Sequence, residues 1–151
     1  MLTTMGRQIA VIGSGEEWEA AAEEIGRLLA QSGCVVVTGG LDEVMAAAHR
    51  GAKSAGGATI AILPGESRSA ANRWADHVVV TGIGHARNLA VAASGDAVIA
   101  VGGSYGTLAE MAFALRLGRT VVALEGAPRV DGAERAATPA EAVDVALRHL
   151  G

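Results

Sequence analysis

The chain has 151 residues, half of them apolar but only 3% aromatic, with 12 Lys and Arg against 16 Asp and Glu for a net charge of -4. That length fits one domain, residues 1–151, with a core built from small aliphatic side chains. The acidic balance and the lack of any Lys/Arg run argue against nucleic-acid binding. The single cysteine, Cys34, rules out an internal disulfide framework or a Cys-based metal site.

Strand-like and helix-like segments alternate along the chain. Residues 8–12 read as a strand that ends in Gly13-Ser14-Gly15, and residues 16–31 as a helix with acids in its first turns. Residues 35–38 are a short apolar strand ending in Gly39-Gly40, followed by a helix over 41–55 closed by Gly56-Gly57. A third strand, 58–63, stops at Pro64-Gly65, and 66–75 is a polar loop. Residues 77–80 form a fourth strand ending in Thr81-Gly82, before a short apolar helix over 84–94. Strands over 97–101 and 120–124 flank a helix over 108–117. Residues 128–137 read as loop. Thr138-Pro139-Ala140-Glu141 then starts the last helix, with Thr at the cap, Pro at the first position and Glu at the third.

The strands are continuous apolar runs, which implies burial on both faces, as in a parallel sheet covered by helices. Repeated β-α-β units predict an α/β fold: a Rossmann-like doubly wound parallel sheet in three α/β/α layers. Ligands of such sheets bind at the carboxyl ends of the strands. The glycine clusters 13–15, 39–40, 81–82 and 102–103 all fall there, although glycine also simply suits tight turns. Gly13-Ser14-Gly15 lacks the third glycine of a dinucleotide fingerprint and is followed by Glu16 and Glu17, which disfavours a pyrophosphate. No Walker pattern occurs.

The most informative stretch is Gly102-Gly103-Ser104-Tyr105-Gly106-Thr107-Leu108-Ala109-Glu110. A glycine turn between strand and helix exposes backbone N–H groups and the positive end of the helix, a ready anion site. Thr107-x-x-Glu110 also reads as a capping box, with Thr107 as the helix cap.

This stretch resembles the GGxGTxxE signature of the LOG and putative lysine-decarboxylase group. His85-Ala86-Arg87-Asn88 resembles the arginine motif that precedes it, and Gly39-Gly40 with Val44-Met45-Ala46 and Gly51-Ala52 resembles its second-strand block. The whole pattern is most similar to the bacterial SLOG subgroup, related to molybdenum-cofactor carrier proteins and distantly to DNA-processing proteins. The resemblance implies a Rossmann-like fold, frequent dimerisation and, in the enzymes of the group, a nucleoside 5′-monophosphate phosphoribohydrolase activity that releases free base and ribose 5-phosphate. It implies Arg87 and Glu110, 23 residues apart, as the catalytic pair. An ionised Glu110 would stabilise an oxocarbenium-like state or activate water, with Arg87 and the helix end keeping it charged. Gly102, Gly103, Ser104, Tyr105, Gly106 and Thr107 would hold the phosphate, with Gly13, Ser14, Gly15, Gly39, Gly40 and Asn88 as further ligand contacts. The lysine-decarboxylase label fails on chemistry: the one lysine, Lys53, lies in a helix away from the strand ends, and a pyridoxal phosphate enzyme needs a Schiff-base lysine in its site.

Other features have plainer readings. Asp42 and Glu43 interrupt the second-strand block with two acids that are unwelcome beside a phosphate. Tyr105 and Trp74 are base-stacking candidates or turn filler. His49, His77, His85 and His149 show no metal-ligand spacing, so no metal and no resident cofactor are expected. The helices over 84–94 and 108–117 are apolar on more than one face, which predicts a homodimer through them. The expected partner is a phosphorylated small molecule, a nucleotide, with no nucleic acid and no membrane, in the cytoplasm. The leading expectation is the phosphoribohydrolase; the alternative is a non-catalytic carrier of a nucleotide or molybdenum-cofactor-type ligand.

Overall fold

The structure is a computed structural model, and it describes residues 6–150. Seven strands form one sheet in the order β4-β3-β2-β1-β5-β6-β7, with every pairing parallel. They are β1 (Gln8–Ser14), β2 (Val35–Thr38), β3 (Thr59–Leu63), β4 (His77–Val80), β5 (Ala97–Gly102), β6 (Thr120–Leu124) and β7 (Glu134–Ala136). The helices are α1 (Glu19–Gln31), α2 (Val44–Ser54), α3 (Arg87–Ser94), α4 (Tyr105–Arg116) and α5 (Pro139–Arg148).

Two apolar cores lie on opposite faces of the sheet. One joins Ile9, Val11, Ile99 and Val122 to Ile25 and Leu29 of α1, Val44 of α2 and Val143 of α5. The other joins Ala10, Val98 and Val121 to Val91 of α3 and Met111 and Ala114 of α4. This is the three-layer α/β/α architecture predicted from the apolar runs. The small residues matter: a Cβ on Gly26 would lie 1.9 Å from the Ala48 carbonyl oxygen, so α1 and α2 touch backbone to backbone. Each fully buried Ile or Leu on these faces contributes about 1.5–3 kcal/mol.

Several boundaries differ from the sequence expectation, each for a local reason. Residues 16–18 form a 3-10 turn before α1. The helix expected from residue 41 begins at Val44, because Glu43 has φ +56° and no helical turn can pass through it. The loop expected over 128–137 contains β7, a short polar edge strand without an apolar signature. β4 sits at the other edge, with Val79 and Val80 exposed, so it is not buried on both faces as its composition suggested.

The capping box at Thr107 does not form. Helix α4 starts at Tyr105 behind Ser104, which puts Thr107 in its first turn and Glu110 in its second. The cause is Gly103, which turns the chain at φ +99° and lets Thr107 Oγ1 occupy the place of a missing Cβ, 2.0 Å away. The cap at the last helix is as expected: Thr138 Oγ1 accepts from the Glu141 N–H at 3.1 Å, and Glu141 accepts from the Ala137 N–H at 2.9 Å.

Candidate functional site

The strand order reverses direction between β1 and β5. Their pairing runs from Ile9 opposite Ala97 to Ser14 opposite Gly102. Beyond those ends the chain leaves β1 for α1 on one face and β5 for α4 on the other, which opens a crevice at the switch point. A cavity of about 160 Å³ lies there.

The cavity wall assembles most of the residues expected from the sequence. Gly13 and Ser14 come from the end of β1, Gly39 from the end of β2, and Arg87 and Asn88 from the start of α3. Ser104, Gly106, Thr107 and Glu110 come from the first turns of α4. The Leu108 N–H is bonded to the Ser104 carbonyl at 2.9 Å. The three N–H groups before it have no carbonyl to meet within the helix, and the Ser104 side chain does not cap them. They are the N–H groups that the glycine turn was expected to offer to an anion.

Arg87 is 8% exposed, buried rather than on the surface. Its guanidinium donates to the Gly39 carbonyl at 3.2 Å and to the Asn88 side-chain oxygen. Its Nε is buried and has no hydrogen-bond partner. Gly39 is glycine because of this contact: a Cβ there would sit 2.7 Å from the Arg87 guanidinium and 2.8 Å from Met45 Sδ. Burial draws the Arg87 guanidinium below its ordinary value, and Glu110 opposes that shift.

Glu110 is likewise 8% exposed. Among the described residues no direct ion pair joins it to Arg87, so the two charges act on one another at longer range. Burial pushes the Glu110 carboxyl up to about 7, and the Arg87 charge only partly offsets it. The expectation of a carboxylate held ionised is therefore corrected. The second-turn position takes Glu110 off the helix end, and desolvation outweighs the neighbouring cation.

Other expected contacts lie outside the cavity wall. Tyr105 is 87% exposed and stacks on nothing in the wall. Gly40 packs against Ala61 and Leu63, with its N–H on Thr38 Oγ1 at 3.0 Å. Gly102 closes over Trp18, whose ring would meet a Cβ at 2.3 Å, and Gly103 shapes the turn behind Thr107. The Gly15 N–H is taken by the Glu43 carboxylate. Trp74 is not in the cavity; the guanidinium carbons of Arg50 and Arg73 lie over its ring, 5.2 and 5.4 Å from the centroid. Lys53 sits near the far end of α2 and pairs with Asp76 at 2.8 Å.

Met45, Val11 and Ile12 complete the wall and were not among the expected contacts. The hint for Met45 was its place in the second-strand block, in the first turn of α2. A second cavity, of about 230 Å³, is lined by Leu41, Asp42 and Glu43 and shares Ser14 and Met45 with the first. Among the described residues no cluster of His, Cys, Asp or Glu could hold a metal ion, and no helix is long and apolar enough to cross a membrane.

Known proteins share this fold. The chain is 43% identical over 143 residues to an uncharacterized protein of Archaeoglobus fulgidus, covering 93% of this chain and 94% of that one. Its fold matches the molybdenum cofactor binding protein of Rippkaea orientalis with a TM-score of 0.90 at 30% identity, over 98% of this chain and 99% of that one. It also matches the molybdenum cofactor carrier protein of Chlamydomonas reinhardtii with a TM-score of 0.87 at 34% identity, over 97% and 99% of the two chains. The sequence profile of the SLOG cluster4 family spans residues 6–147, and the chain belongs to that family.

Proposed function

We propose that this protein binds and carries a phosphorylated small molecule, such as a molybdopterin-type ligand or a nucleotide, without turning it over. The observation that carries this reading is Arg87, a buried cation whose Nε has no hydrogen-bond partner, in the wall of a cavity that the first turns of α4 also line. A buried cationic donor without an acceptor is costly unless an anion completes it. A phosphate at the α4 terminus supplies that acceptor, and the Gly39 carbonyl holds the guanidinium in place meanwhile. The similarity to molybdenum cofactor carrier and binding proteins over nearly the whole chain favours carriage over catalysis.

Glu110 supports a second reading. A buried carboxyl that titrates near 7 beside a cation has the properties of a general acid or base. That would suit the phosphoribohydrolase reaction, with Glu110 acting on the ring side of the glycosidic bond.

One experiment separates the two. The protein is incubated with a panel of nucleoside 5′-monophosphates and with a phosphorylated pterin, and free base and retained ligand are both measured. Carriage predicts retention through gel filtration, no free base, and at least a tenfold loss of affinity in Arg87→Gln, the scale of a lost charge-assisted contact. Base release that vanishes in Glu110→Gln would overturn carriage in favour of hydrolysis.

The same reading includes a homodimer. Leu89 of α3, Leu108 of α4 and Leu117 just past its end are exposed, as are Ile83 and the β4 valines Val79 and Val80, and a second copy is the partner whose chemistry this apolar surface fits.

A further inference from the structure

Glu43 is the one non-glycine residue with positive φ among those described, at φ +56°, ψ -124°. That conformation strains an L-residue and persists only where its surroundings hold it. What it achieves is visible in the β1–α1 turn. The Glu43 carboxylate reaches across from the start of α2 and accepts the Gly15 N–H. No cation pairs with Glu43 among the described residues. A carboxylate thus fills the place where, in a dinucleotide-binding βα turn, backbone N–H groups meet a pyrophosphate.

The position matters because of the two adjoining cavities. The first ends at Arg87 and the α4 terminus. The second continues past Ser14 and Met45 and is walled by Asp42 and Glu43. A ligand anchored by one phosphate in the first cavity extends into the second, where it meets two acids.

We infer that Glu43 is a specificity-determining residue that occupies the second anion position with its own carboxylate, so that the site takes a monophosphate ester and rejects a diphosphate. The part of the ligand in the second cavity is correspondingly uncharged and rich in hydrogen-bond donors, such as sugar hydroxyls or ring amino groups, which Asp42 and Glu43 can accept. The Asp42-Glu43 interruption, unfavourable for a generic phosphate pocket, becomes a filter through repulsion of the wrong ligand. This inference rests on the phosphate-binding reading of the Arg87 cavity.

The test uses inorganic phosphate and pyrophosphate as probes, with affinities measured by calorimetry on the full chain. The variants are Glu43→Gln, which keeps the side-chain shape, and Glu43→Gly, which removes the carboxylate and suits the positive φ. The wild-type protein is expected to prefer phosphate. Both variants are expected to shift the phosphate-to-pyrophosphate preference by about tenfold or more towards pyrophosphate, as removal of a juxtaposed like charge requires. An unchanged ratio, with both anions bound, overturns the role of Glu43 and leaves the Arg87 site intact. If neither anion binds the wild-type protein or the variants, the phosphate-binding reading falls, and the filter with it. Circular dichroism confirms the fold of each variant, and Glu43→Gly keeps the test decisive should Glu43→Gln fail to fold.

Discussion

Glu110 lies in the second turn of α4 with its carboxyl in the cavity wall, and burial lifts its titration from an ordinary 4.5 to about 7. Near pH 6 it is mostly neutral and does not repel a phosphate; above 7 it is ionised and does. Affinity for a phosphate monoester is therefore expected to fall by about tenfold between pH 6 and pH 8 in the wild-type protein, beyond any change from the ligand's own ionisation. Glu110→Gln should flatten that dependence, which calorimetric titration at several pH values will show. The same shift acts on stability. Folding raises this pKa, so the neutral form is favoured: the contribution is full below 4.5 and is lost as pH rises through 7. Urea unfolding at pH 8 should find Glu110→Gln more stable by about 3 kcal/mol, a difference that disappears near pH 4. The residue scale was partly legible. The types Arg87 and Glu110 stood in the motif, but their burial, and the long-range rather than contact interaction between them, depend on what surrounds them.

The turn between β2 and α2 is the element that holds Arg87 in position, and it is clamped from behind. Asn72 accepts the Trp74 N–H on its side-chain oxygen at 3.0 Å, so its amide nitrogen faces Leu41 O and His49 Nδ1, each at 3.2 Å. His49 Nδ1 is then the acceptor, and Nε2–H donates to Thr38 Oγ1 at 3.2 Å. Thr38 Oγ1 in turn accepts the Gly40 N–H, and the Gly40 carbonyl accepts the Asn72 N–H at 2.8 Å. Burial holds His49 neutral, down from 6.5 to about 4. A depressed histidine contributes stability above its unfolded pKa of 6.5 and loses it as pH falls towards 4, about 3 kcal/mol in all. Glu110 has the opposite slope over part of that range, so the readout is a difference. Urea unfolding should show wild type losing its advantage over His49→Gln as pH drops from 7 to 4. At pH 7 the variant should also bind phosphate less tightly, because a loosened Gly39 carbonyl no longer positions Arg87. Sequence reading placed this turn at a strand end but missed the clamp, since its three side chains come from 38, 49 and 72.

At the scale of the molecule the two faces of the sheet are covered unequally. Helices α1, α2 and α5 cover one face, while α3 and α4 cover the other and leave β4 and the outer sides of Leu89 and Leu108 exposed. These exposed residues lie on the same two helices that carry Arg87 and Glu110. A homodimer through this face is expected at micromolar concentration by light scattering. Leu89→Glu should convert it to monomer by placing an unpaired charge in the contact. Wild-type protein that is monomeric under those conditions contradicts the dimer.

The local pattern of the chain was enough for the architecture. Continuous apolar runs separated by amphipathic stretches can satisfy backbone and core only as a parallel sheet between helices, so the fold class and six of the seven strands could be read directly. The exception, β7, is three largely polar residues whose only reason to be extended is β6 beside them. The start of α4 was misplaced because Gly103 decides it through a close contact with Thr107 that no spacing rule contains. The ionisation of Glu110, the orphaned Nε of Arg87 and the reach of Glu43 to Gly15 all depend on distances between segments remote in sequence. Desolvation and hydrogen bonding are set by the whole surroundings of an atom, and only the folded chain supplies those.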